Sequence, residues 1–163
     1  MPLKTDAYFK TIAETALRQT GIAEPPVQVE AVAAHLGVPV RLVNMPAFFY
    51  GATVSEDGMP VIVLNSRFDE VSRERTLAHL VAHVLLIMQD ASASYPRDTD
   101  VHHEADVVAE ELIMPAWMVV EQSAKWFNDY RYLARLFGVS EGEMTARMEA
   151  LGLLKTHGIP WDY

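Results

Sequence analysis

Apolar positions recur along this chain at two spacings, and the changes between them divide it into elements. Ala7, Phe9, Ile12, Ala13 and Leu17 fall at helical spacing. Thr5 or Asp6 can cap that helix, which runs to about Thr20 and ends at Gly21. Glu24-Pro25-Pro26 breaks the chain, after which Val29, Val32, Ala33 and Leu36 read as a second amphipathic helix stopped by Gly37. Strand-like runs follow at Val38–Val43, Phe48–Val54 and Met59–Asn65, with Glu56-Asp57-Gly58 as the turn between the last two. The β-branched run Val61-Ile62-Val63 predicts that the third strand is the central one.

Between Val71 and Pro96 there is neither proline nor glycine, and the stretch is helix-compatible. Leu77, Leu80, Val81, Val84, Leu85 and Ile87 make it apolar almost all round, so it predicts a buried helix. His79 and His83 are set into it four residues apart, hence on one face, where both imidazoles can reach one spot. That spacing grips zinc in the helical motif H-E-x-x-H, whose Glu is the general base. Here the residue after the first His is Leu80.

A catalytic zinc takes three protein groups, so a third ligand must come from elsewhere. The candidate segment is Val101-His102-His103-Glu104-Ala105-Asp106, continuing to Leu112-Ile113-Met114-Pro115. The histidines of this cluster and Glu104 are the candidates for it. Asp106, four residues after His102, can accept a proton from a ligating imidazole. Histidines at this spacing also occur in ordinary helices, and His-His-Glu can open a solvated one. The weight rests on two such segments in this order. Asp100 is placed to cap the second, whose apolar face holds Ala105, Val108, Leu112 and Ile113. The small, polar, Pro-broken stretch 90–100 between them predicts an exposed loop bordering the cleft.

Beyond Pro115 a helix continues through Phe127. Tyr132–Phe137 and Glu143–Leu153 around Gly138-Val139-Ser140 resemble a helix-turn-helix, with Ser140 and Glu143 at capping-box spacing. Glu141, Glu143 and Glu149 against Arg147 alone equip its second helix poorly for phosphate contact, so direct nucleic-acid binding is not expected. The overall balance agrees: 22 acidic against 13 basic residues give a formal charge of −9. The chain's 163 residues, half of them hydrophobic, suit one compact domain or a domain with a small appendage. With no cysteine, disulfides and thiolate metal sites are excluded. No apolar signal core opens the chain and no run is long enough to span a bilayer, so a soluble, cytoplasmic protein is expected. No internal repeat, phosphate-binding glycine loop or serine or cysteine nucleophile motif is present.

The two segments resemble the ImmA/IrrE family of metallopeptidases, whose helices read roughly R-R-F-T-L-A-H-E-L-G-H-x-L-L and E-x-x-A-[ND]-x-F-A-x-E-L-L-M-P. Thr76-Leu77-Ala78-His79, His83 and Leu85-Leu86 match the first; Ala105-Asp106, Ala109 and Glu111-Leu112-Ile113-Met114-Pro115 match the second. Asn65 stands where the family commonly has an Asn, and the closing Leu-Ala-x-x-Phe-x-Val-Ser pattern extends the likeness over nearly the whole chain. Two departures fall on the chemistry: Leu80 replaces the general-base Glu, and His102 stands where the third ligand, a Glu, would be, so the resemblance implies a site of His79, His83 and His102, with Glu104 as the alternative third ligand.

The resemblance implies an α+β fold with a zincin-like metallopeptidase core, and a small three-stranded, mostly antiparallel sheet packed on helices. Residues 1–120 would form that domain and 121–163 a C-terminal helical, helix-turn-helix-like extension packed on it. It implies a zinc cofactor and a protein partner, a helix-turn-helix repressor governing a mobile element such as a phage, or a stress response. Family members cut that repressor. Three readings stay open here: an altered peptidase with weakened or abolished proteolysis, a pseudo-peptidase that sequesters its partner, and a three-His zinc hydrolase of small substrates.

Overall fold

The computed structural model describes residues 4–89 and 99–154. The expected loop at 90–100 lies almost entirely outside them. Contacts divide the chain into two compact units, Met1–Ile22 with Gln28–Leu112, and Ala23–Val27 with Ile113–Tyr163.

The first unit is α+β. It comprises α1 (Asp6–Thr20), α2 (Val29–His35), β1 (Val40–Val43), β2 (Gly51–Glu56), β3 (Met59–Asn65) and α3 (Glu70–Gln89), with α4 (Thr99–Ile113) reaching its boundary. Gly21, in the left-handed region at φ 81°, ends α1 where the sequence predicts. β1 begins two residues later than expected because the amide of Val38 donates to the carbonyl of Ala33, closing α2 instead of joining the sheet. β2 also begins later. The Phe49 amide donates to Pro46, so Pro46–Phe49 forms a turn, not a strand.

The sheet order is β1-β3-β2, with the β-branched strand in the centre as its composition predicts. β3 pairs antiparallel with β2 over Gly51–Glu56 and parallel with β1 over Val40–Val43, so the sheet is mixed and the antiparallel pairing is the longer. Asp57 at φ 53° and Gly58 at φ 80° make the two-residue turn whose twist suits a hairpin. The 44–50 connection then has to carry the chain past β3, and buried Asn65 holds it there. Its amide donates to the carbonyls of Phe49 (2.7 Å), Pro46 (3.0 Å) and Met45 (3.2 Å), and its oxygen accepts from the amides of Met45 and Arg67.

β2 and β3 pack on α3, as do α1 and α2. Gly51 permits the approach. A Cβ there would lie 2.7 Å from the Val63 carbonyl oxygen and 3.1 Å from the Thr76 methyl, one turn before His79. Leu77, Ala78, Val81, Ala82, Val84, Leu85 and Leu86 of α3 are all buried. A fully buried Leu or Val contributes about 1.5–3 kcal/mol, so this burial, more than helix propensity, holds α3 in place. α4 is already helical at Thr99, so Asp100 sits inside the first turn and not before it as the capping reading had it.

The second unit holds α5 (Ala116–Lys125), α6 (Tyr130–Phe137) and α7 (Glu141–Ala150). Asp129 caps α6 by accepting the Tyr132 amide, and Ser140 with Glu143 forms the full capping box on α7. α6 packs on both α5 and α7, and Leu133, Phe137, Met144 and Met148 are buried. Buried Arg147 donates from Nε to the Met114 carbonyl at 3.0 Å, which commits it to structure. Among the described residues no helix is long and apolar enough to cross a membrane.

Candidate metal centre

Between Leu77 and Leu86, His79, Leu80 and His83 are the half-buried positions of α3, while the other residues there are buried, with the sheet and helices α1 and α2 packed on this helix. The Nε2 atoms of His79 and His83 are 3.0 Å apart. His102, exposed on α4, stands over the pair: its ring centroid is 5.8 Å from that of His79, nearly parallel at 12°, and 5.5 Å from that of His83, perpendicular at 90°. One nitrogen from each of the three imidazoles lies within 4.8 Å of the others. Tetrahedral zinc, at about 2.0–2.1 Å from each nitrogen, needs neighbouring ligand nitrogens roughly 3.3 Å apart. The His79–His83 edge, at 3.0 Å, is close to that, and the edges to His102 are at most 4.8 Å, so the three rings could converge on such an ion.

Protonation favours the same use. His83 is pushed down to about 4, first by burial, then by the positive charge that His79 and His102 would carry, against the pull of Asp106. Its ring is therefore neutral at neutral pH and has a lone pair to give. Asp106 Oδ1 lies 3.2 Å from Nδ1 of His79. A proton held on Nδ1 by that carboxylate leaves the Nε2 lone pair of His79 facing the other two rings.

The remaining candidates fall elsewhere. Glu104 is not a member of the triad, the one group of its kind among the described residues. His103 faces α1, with Nε2 3.4 Å from Asp6 Oδ1. That pairing spans 97 residues, and nothing in the local sequence signals it. Leu80 is half-buried beside His79 and has no atom that can accept a proton. Glu111 is completely buried. Gly51 and Asn65 act through tertiary contacts, and a strand-interior glycine and a strand-end asparagine are their sequence signals.

A family model, Peptidase_M78, the IrrE N-terminal-like domain, matches residues 33–149, a span that includes all three histidines. The chain belongs to this family. The IrrE-like chain also resembles a solved structure described as a Mycobacterium tuberculosis transcriptional regulator, at TM-score 0.61 and 18% identity over 86% of its own length. That likeness shows the fold alone. The IrrE-like chain spans 46% of that structure, under half its length. No curated protein matches it. Membership and the triad together make this a metallopeptidase-related chain with a group that could hold a metal ion.

Proposed function

We propose that this chain is a metal-binding regulator of the IrrE-like family that acts by binding a helix-turn-helix repressor, with proteolysis weak or lost. The carrying observation is that His79, His83 and His102 stand together while Leu80 occupies the position of the family's general base. The three imidazoles would hold the metal, zinc being the natural fit to three nitrogen donors, and Asp106 would orient His79. When bound, the metal supplies Lewis-acid polarisation of a carbonyl. Proton transfer is what Leu80 cannot provide. An isobutyl group can neither take a proton from water nor pass one to a leaving amine, and that service is worth about 100- to 10,000-fold. A partner can still be held at such a site without being cut. The transcriptional regulator of similar fold is compatible with a regulatory role.

The test is to mix the zinc-loaded protein with the helix-turn-helix protein encoded beside it and to follow both complex formation and fragments. A stable complex with an intact partner is the expected result. Discrete fragments that vanish with chelator or with His79→Ala would overturn the pseudo-peptidase reading. Leu80→Glu should create or raise cleavage; no gain would mean that more than the base has been lost.

A further inference from the structure

We infer that the metal site of this chain takes a carboxylate as its outside ligand, so that an acidic group of the partner or a small acid is what it recognises. The inference rests on the metal-binding reading above and concerns the charge of the site. Every member of the triad is an imidazole, and Glu104, two residues after His102, stands outside it. Three neutral imidazoles leave a divalent ion with its full double charge, whereas two His and a Glu would leave it with one. Asp106 meets His79 through Nδ1, on the far side of the ring from Nε2. It offsets charge at a distance and does not occupy the metal's ligand positions.

Access favours an outside ligand too. His102 is exposed, and the His79 side chain is 33% exposed, so a side chain of another molecule can reach the triad. Leu80 cannot supply an anion from within. The chain as a whole carries a formal charge of −9, so its long-range field repels acidic partners. Recognition of a carboxylate must therefore be local to the ion and must vanish without it.

The experiment uses the full chain loaded with cobalt(II), read by its visible absorption. Acetate is titrated against acetamide, its uncharged counterpart, and a short peptide with one Glu against the same peptide with Gln. Acetate or the Glu peptide should change the spectrum saturably, and acetamide and the Gln peptide should not. Tighter binding of the Glu peptide than of acetate assigns the site to protein carboxylates, and the reverse to small acids. His102→Glu should weaken acetate binding at least about fivefold, the effect of one unit charge at roughly 4 Å in a water-like dielectric. Absence of any protein-bound cobalt spectrum would sink the metal-binding reading itself. A cobalt spectrum indifferent to acetate and peptide, or equally responsive to acetamide, would overturn the carboxylate inference while leaving metal binding intact.

Discussion

Removal of the Asp106 carboxylate is the sharpest probe of how the triad is held. In Asp106→Ala the Nδ1 of His79 loses an acceptor 3.2 Å away, and the ring is free to turn its Nε2 from the other two imidazoles. Partners of this kind are worth about 10- to 100-fold in metal affinity. Two features of the contact place this one at the lower end. Its length exceeds the roughly 2.7–2.9 Å of a strong charge-assisted hydrogen bond, and the Asp106 side chain is 70% exposed, so water screens it. The expected loss is about tenfold, or about 1.4 kcal/mol. Competition for zinc against a chromophoric chelator at neutral pH measures it directly. Asp106→Asn keeps an oxygen acceptor without the charge and should fall between the wild type and Asp106→Ala. Both variants should unfold within about 0.5 kcal/mol of the wild type when metal-free, as exposed substitutions do. Unchanged zinc affinity in both would refute the orienting role. A loss as large as that of His79→Ala would show that Asp106 does more than orient.

Other expectations are open to measurement. His83 titrates at about 4 in the folded chain against 6.5 ordinarily, so the unfolded chain takes up its proton first as pH falls. The contribution is therefore complete above about 6.5 and is lost on acidification through that window to about 4; urea denaturation of the metal-free protein should show it, and His83→Gln should flatten the dependence. Parallel pH profiles for the two would contradict this. Asn65→Ala empties a fully buried side-chain site and removes the hydrogen bonds that tie the 44–50 connection to β3, and should cost roughly 2–3 kcal/mol in the same assay, a change under about 1 counting against the network. Gly51→Ala drives a methyl to 2.7 Å from the Val63 carbonyl of β3 and should cost roughly 1–3 kcal/mol; wild-type stability would mean that β2 can shift against β3 freely.

Local periodicity was enough to determine which segments are helices and strands, because 3.6- and 2-residue repeats are properties of short windows. Gly21 ending α1, the turn at Asp57-Gly58, the Ser140–Glu143 box and the central place of β3 were all legible for that reason. The His79–His83 pair was legible too, since a helix fixes the relation of residues four apart. Strand starts were not, because the hydrogen bonds that claim Val38 and Phe49 for turns depend on which acceptors lie nearby. The parallel pairing of β1 with β3, from Val40 opposite Ile62 to Val43 opposite Asn65, and the Asn65 contacts to the 44–50 connection depend on partners far outside any local window. The placing of His102 over the α3 pair, with Glu104 outside the group and His103 turned to Asp6, was decided by how α4 packs beside α3 and α1. A heptad of sequence places a side chain on a face of its own helix; only the packing of that helix against others determines what the face meets.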